Sequence, residues 1–330
     1  MHRSATREIC THKEAVLLCR AKQFLTLHNR ILYANAGQLQ QGVVSYSLVN
    51  SVQAPQNSEK NKPMISKNPT EALPDVQSFR DDRRIAINKV GVTEVSFPVQ
   101  VASQFKVDAG TQPSVATMDM FVSLPSDQKG THMSRFMQLL RDWGQPLEPS
   151  SIIGLCEAIR ERLQAADAFL KIRFPYFVER LAPVTQESGV LRIDAEFEVS
   201  CGNENDLVMT LKGPATSLCP CSKQISDRGA HNQRCELTVS VRCPEGEMIS
   251  IEDLFGIMEG AASTQVFPVL KRPDEKHVTE DAYDHPKFVE DIVRDLADGL
   301  AGDDRIVWYR CSSENFESIH QHNAFALIQS

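Results

Sequence analysis

The feature that most constrains this chain is a change of hydrophobic period that occurs twice in the same order. From about Val92 the apolar residues alternate with polar ones: Val95, Phe97, Val99 and Val101, then Met118, Met120, Val122 and Leu124. A period of two places such residues on one face of an extended strand. The period then lengthens to three or four. Met133, Phe136, Leu140 and Trp143 predict one helix. Ile152, Leu155, Ile159, Leu163 and Ala166, after Pro149 and the cap candidates Ser150 and Ser151, predict a second. Strands near 171–179 and 190–201 complete a ββααββ unit, the latter with Ile193, Ala195, Phe197 and Val199 on one face.

The order recurs downstream, with strands at 207–212 and 237–243, helices at 251–263 and 286–300, and strands at 305–311 and 318–327. Alternating rather than continuous apolar strands indicate antiparallel sheets with helices on one side. The expected fold class is therefore α+β, with two tandem ββααββ modules at residues 81–203 and 204–330. Open sheets leave edges that must be paired or covered, and other subunits can cover them, so a homo-oligomer is expected.

Residues 1–80 do not share this regularity. Gln53 to Asn68, with Pro55 and Pro63, reads as tail or linker, and the whole stretch is expected to be a poorly ordered N-terminal extension. It is also basic: residues 1–63 carry eight Lys and Arg against three Asp and Glu, net +5, so residues 64–330 hold 27 against 40, net −13. The basic start suggests a targeting segment. Glu8, Glu14 and the lack of a clear cleavage signal argue against one, and a miscalled start, with Met64 the true beginning, is the alternative.

The acidic body excludes a general binder of phosphate backbones, so no nucleic-acid partner is expected. The most apolar early stretch, Ala15 to Tyr33, is broken by Arg20, Lys22 and Arg30, and no run reaches the roughly 18 apolar residues of a membrane span. Nine cysteines are an odd count without the density of a disulfide scaffold, which predicts the reducing cytoplasm. A close cysteine pair there is a metal ligand or nucleophile sooner than a crosslink.

Such a pair lies in Ser217-Leu218-Cys219-Pro220-Cys221-Ser222-Lys223, followed by Gly229-Ala230-His231-Asn232-Gln233-Arg234. Pro220 fixes its own φ and keeps Cys219 extended, so both thiols are held stiffly. His231 could return across the loop and add nitrogen to sulfur, a donor set zinc accepts. A structural metal and reduced cysteines in a packed loop stand beside that reading, and the spacing is not that of a zinc finger. Further on, a strand through Glu317-Ser318-Ile319-His320-Gln321-His322 would put His320 and His322 on one face, roughly 7 Å apart. Arg272-Pro273-Asp274-Glu275-Lys276-His277 reads as a turn with carboxylates, either a solvated loop or a source of oxygen ligands. Glu290 falls on the shoulder of the stripe Val289, Ile292, Val293, Leu296 and Leu300. It can anchor a pair of N–H donors such as the edge of guanine, or serve as a helix-start acid.

Taken together, S-L-C-P-C-S-K and G-A-H-N-Q-R at 217–234, R-P-D-E-K at 272–276, P-K-F-V-E-D at 286–291 and E-S-I-H-x-H-N-A-F-A at 317–326 resemble the type IB GTP cyclohydrolase I family over about residues 75–330. The resemblance implies the tunnelling fold, homotetramers with active sites near subunit boundaries, and conversion of GTP to 7,8-dihydroneopterin triphosphate and formate. That product feeds folate synthesis and, in some organisms, 7-deazaguanine-modified tRNA. Residue by residue, Cys219 matches the metal-associated thiol, Cys221 the second essential cysteine, His231 and His320 the motif histidines, Glu275 the acid of R-P-D-E-K and Glu290 the purine anchor. Asp274 and His277 lie near enough to compete with Glu275. The implied metal ligands are Cys219, His231, Glu275 and His320. The implied catalytic residues are Cys219, Cys221 and His320. Lys223, Arg228 and Arg234 are the nearby cations for the triphosphate. The ion would be zinc or manganese, with iron(II) as a third candidate. Two rivals remain: a nitrile reductase of the same superfold, with a cysteine nucleophile and NADPH, and a noncatalytic purine- or pterin-binding zinc protein.

Overall fold

The computed structural model describes residues 74–103, 110–244 and 246–330. The expected extension up to residue 73, including the candidate start Met64, lies outside the described residues. Residues 74–80 hold a short 3-10 turn, Val76–Ser78, tied to the loop after the second strand by Lys129 N–H to Phe79 O and Gly130 N–H to Gln77 O.

Eight strands form one antiparallel sheet in sequence order: β1 Ile87–Ala102, β2 Thr111–Leu124, β3 Ala168–Leu181, β4 Ser188–Cys201, β5 Asn205–Leu218, β6 Asn232–Arg242, β7 Trp308–Asn315 and β8 Ala324–Gln329. The sheet runs unbroken across the middle of the chain, because β4 and β5 pair from Asp194 with Lys212 to Cys201 with Asn205. Ala168, Leu170, Ile172, Phe174, Tyr176 and Val178, every second residue of β3, are buried in the core. The intervening positions carry ion pairs such as Lys171 with Glu196 and Glu198, both at 2.7 Å, and Arg173 with Asp119 at 3.0 Å. One face thus packs and the other meets water, as alternation requires of an antiparallel sheet covered on one side.

The covering helices are α1 Met133–Asp142, α2 Pro149–Leu163, α3 Pro220–Ile225, α4 Ile251–Gly260, α5 Arg272–Asp284 and α6 Val289–Ala301. α2 lies against β3 and β4, α4 against β5 and α6, and α6 against β7 and β8. The α+β class with helices on one side is as the periodicity predicts. Among the described residues no helix is long and apolar enough to cross a membrane.

Three local expectations are corrected. Residues 272–277 open α5 instead of forming a turn. That helix buries only Asp274 and Ala282, so it has no apolar stripe to read. Residues 220–225 are a helical turn and not loop. Residues 318–323 are turns and not strand: β8 begins at Ala324, and Asn323 Nδ2 donates to Glu314 Oε1 at 2.8 Å across the reversal.

A buried ion pair fastens α4 to β3. Arg180 Nε and Nη2 donate to the two oxygens of Glu259 at 2.9 and 2.5 Å, and Glu259 is only 4% exposed. Burial pushes the Glu259 carboxyl above its ordinary range even though the Arg180 guanidinium pulls it down. Arg180→Met leaves that carboxylate without its partner and is expected to cost about 3–5 kcal/mol by urea denaturation. A raised folded-state pKa means that the native state holds its proton longer than the unfolded one. The stability contribution of Glu259 is therefore full below the unfolded glutamate pKa and falls as pH rises toward the folded value. Glu259→Gln is expected to flatten the stability profile across that window.

Candidate active site

The C-terminal end of β5 is where the motif segments meet. Thr216 N–H donates to Thr264 O, and Leu218 N–H to Ser263 Oγ at 3.1 Å. The chain then leaves the sheet at Cys219, whose φ of −70° and ψ of 118° are the extended values a residue before proline adopts. Pro220 starts α3, with Cys219 as N-cap: its sulfur accepts from Ser222 N–H at 3.5 Å. Cys219 N–H donates to His231 O at 3.1 Å, and His231 N–H to Ser222 Oγ at 3.2 Å. These bonds close the 219–231 segment and bring the backbones of Cys219 and His231 together. Gly229, with φ of +133°, occupies backbone space that other residues rarely adopt and makes the return possible.

Sheet register brings the remaining segments to the same end. β6 starts at Asn232 opposite Leu218, and β7 finishes at Asn315 opposite Cys235. The segment before α6 docks through Lys287 N–H to Leu218 O at 3.1 Å. Beside it lies a cavity of about 350 Å³ lined by Ser263, Thr264, Gln265, His277, Asp281 and Lys287 among others. That volume is within the range of small-ligand sites.

Each candidate residue can be placed. Cys221, on α3, is exposed. All seven cysteines among the described residues are free thiols. Desolvation pushes buried Cys235 up to about 12 and Cys311 to about 11, which leaves them as packing groups, whereas Cys219 and Cys221 are accessible. Glu290 is exposed in the first turn of α6. The capping bond there, Phe288 N–H to the side chain at 3.0 Å, goes to Asp291, so Glu290 has no side-chain partner among the described residues. Lys223 lies over the Tyr283 ring at 4.2 Å and donates to Tyr283 O, so its charge is already engaged. Arg234 is exposed and lacks an ion-pair partner among the described residues. Strand alternation places it on the opposite face of the sheet from buried Gln233.

His320 and His322 sit exposed in the β7–β8 connection with their rings stacked, centroids 5.0 Å apart and 12° between planes. The stacking replaces the same-face strand spacing of roughly 7 Å, because this connection is turned and not extended. Glu275 is exposed in the first turn of α5, about 12 Å along the helix from Tyr283. Its competitor Asp274 is fully buried and accepts from Val184 N–H, Thr185 N–H, Thr185 Oγ1 and Lys271 N–H at 2.9, 2.9, 2.6 and 2.9 Å. Every acceptor direction is in use, so Asp274 is a structural clamp and not a ligand. Those bonds hold its carboxyl well below the usual range against the opposing effect of burial. Asp274→Ala is expected to lower the urea midpoint and to expose the 183–185 turn to hydrogen exchange.

Among the described residues no three His, Cys, Asp or Glu side chains are grouped so as to hold a metal ion. The protomer therefore brings Cys219 and His231 together and does not bring Glu275 and His320 to them. The pair itself suits a metal. Cys219 offers a soft sulfur at a helix N-cap, and His231, bonded to it through the backbone, has its Nδ1 held at 3.0 Å by Gln233 Oε1, leaving Nε2 available. Ser217, Gln233 and Asn315, which hold this arrangement from behind, escaped the sequence reading. Two lie inside the quoted motifs, but nothing in their type announces burial.

An antiparallel sheet covered by helices on one side, with Cys219, His231 and the segment leading to Glu290 tied together at the end of β5, defines an α+β protein with candidate site residues on a sheet rim. The chain belongs to the GTP cyclohydrolase family described as type I GTP cyclohydrolase folE2, whose profile matches residues 73–326. Relatives named GTP cyclohydrolase FolE2 include those of Dichelobacter nodosus, 47% identical over 261 residues, and Magnetococcus marinus, 45% identical over 258. Each alignment covers 78% of this chain, and 97% and 96% of the respective relatives. Among solved structures, urate oxidase from Bacillus sp. TB-90 has a similar trace, with 8% identity, 74% of this chain and 99% of that one covered, and a TM-score of 0.45.

Proposed function

We propose that this protein converts GTP to 7,8-dihydroneopterin triphosphate and formate in the cytoplasm, supplying folate synthesis and, in some settings, 7-deazaguanine formation. The observation that carries the proposal is the hydrogen-bonded juxtaposition of Cys219 and His231 at one end of the sheet, in a chain of the cyclohydrolase family. The reaction adds water at C8 of the purine, opens the imidazole ring, releases C8 as formate and then opens and rearranges the ribose.

A zinc or manganese ion, with iron(II) as the third candidate, would supply Lewis acidity and an activated water near neutral pH. Cys219 and His231 would hold it from one protomer. Glu275 or His320, supplied across a subunit boundary of the proposed homotetramer, would be the third protein ligand and would leave one position open for water. Exposed apolar side chains on edge strand β8, Phe325 at 62% and Leu327 at 41%, support assembly there, since a bare apolar edge requires a cover. In this reading residues 81–203 and 204–330 are two modules of a tunnelling fold.

The remaining residues bind and move protons. The Glu290 carboxylate accepts from N1–H and the 2-amino group of guanine in a bidentate manner. Arg234 draws the triphosphate, with Lys223 joining if it leaves Tyr283. Cys221 steadies the hydrated purine before deformylation, and His320, where Glu275 fills the third protein position on the ion, returns the proton to the ring nitrogen. Incubation of the metal-loaded chain with GTP tests the proposal: formate and an oxidisable, fluorescent pterin are expected in equal amounts. Absence of both would overturn it. NADPH-dependent reduction of a 7-deazaguanine nitrile without formate would point to the reductase instead.

A further inference from the structure

Ser217 is the hub of a buried chain of hydrogen bonds that ends on His231. We infer that this chain fixes His231 as the Nδ1–H tautomer and directs its free Nε2 outward, making Ser217, Gln233 and Asn315 positioning residues. The inference deepens the proposed function in that it takes His231 to be a site residue.

Ser217 Oγ lies 3.2 Å from the backbone oxygen of Lys287, which can only accept, so the single hydroxyl proton of Ser217 goes there. The oxygen of Ser217 is then restricted to accepting. Asn315 Nδ2 donates to it at 3.1 Å and Gln233 Nε2 at 3.4 Å. The Asn315 amide cannot turn over, because its oxygen would then face the Ser217 oxygen, which only accepts; Oδ1 accepts instead from Ser313 Oγ at 2.9 Å. With its NH₂ committed to Ser217, Gln233 presents its carbonyl oxygen to His231, 3.0 Å from Nδ1. A carbonyl oxygen can only accept, so Nδ1 must carry the proton.

Burial gives the relay its force. Ser217 is 1% exposed, Ser313 0%, Asn315 2% and Gln233 8%, so no member can reverse its polarity by turning to bulk water. Turning over either amide would set its carbonyl oxygen against the accepting oxygen of Ser217, away from solvent. The relay also joins three distant parts of the sequence, the end of β5, the start of β6 and the end of β7, to the segment that leads into Glu290. One serine thereby sets the imidazole and the approach to the carboxylate in a common frame.

The test uses the metal-free full chain labelled with ¹⁵N-histidine, read by long-range ¹H–¹⁵N correlation, with His231→Asn supplying the assignment. The parent chain is expected to show His231 with protonated Nδ1 and unprotonated Nε2. Gln233→Leu, which lacks the acceptor, is expected to shift His231 toward the Nε2–H form, and Gln233→Glu, which restores an acceptor, to keep Nδ1–H. Zinc affinity, read by chelator competition, should fall about 10–100-fold in Gln233→Leu and recover in Gln233→Glu. An Nε2–H tautomer in the parent chain, or an unchanged one in folded Gln233→Leu, would overturn the relay. The parent tautomer decides by itself, so a variant that fails to fold leaves the inference testable. The measurement needs no GTP, so failure of turnover would count against the proposed function and not against this relay.

Discussion

Cys219→Ala is expected to slow formate release from GTP by about 10³-fold or more while leaving the chain folded. The loss is large because in the proposed mechanism the sulfur would help hold the ion that activates water, and removing one group that stabilises a transition state already costs about 10²–10³-fold. The fold should survive because the bonds that shape the loop are made by the backbone. Cys219 N–H to His231 O and Lys223 N–H to Cys219 O persist in the alanine variant, and only the 3.5 Å contact from Ser222 N–H to sulfur disappears. Losing an N-cap acceptor of that kind costs about 1 kcal/mol. His231→Ala should behave alike. Formate release and urea denaturation, measured on the same preparation, separate the two effects. Near-parent turnover in either variant would remove the thiol–imidazole centre from the mechanism.

Glu290→Gln is expected to erase discrimination between GTP and ATP and to lower kcat/KM for GTP by about 10²–10³-fold. A carboxylate offers two acceptors to the two donors on the guanine edge, and hydrogen bonds to a charged group contribute about 1.5–3 kcal/mol each. Glutamine keeps one acceptor and turns an NH₂ toward the other donor. Stability should change by less than about 0.5 kcal/mol, since Glu290 is exposed and Asp291 carries the cap of α6. Bound metal, measured by elemental analysis, should not change. Retained preference for GTP over ATP would show that the purine is read elsewhere.

The contrast between Asp274 and Glu275 shows how far residue type can be trusted. Both lie in one motif, and both are carboxylates suited to a hard cation. Only the packing of α5 against the 183–185 turn separates them, by surrounding Asp274 with four donors and leaving Glu275 in solvent. α5 itself was hidden because a helix that buries two residues writes no period into the sequence. His320 and His322 were misplaced for a related reason. An extended reading of 318–327 is reasonable from its apolar content, but the reversal that ends β7 is set by Asn323 bonding back to Glu314.

The sequence by itself determined the alternation that makes an antiparallel sheet, the helices with strong apolar stripes, and the stiff Cys219-Pro220-Cys221 bend, because these follow from local sterics and a period of two or three to four residues. It also carried the motifs that mark the family. Tertiary structure alone decided that both halves share one sheet, that the end of β5, the start of β6 and the end of β7 lie together, and that a serine there faces three partners. Register is a long-range choice: a shift of one residue would send Ser217, Gln233 and Asn315 to the solvent face and leave His231 without its relay.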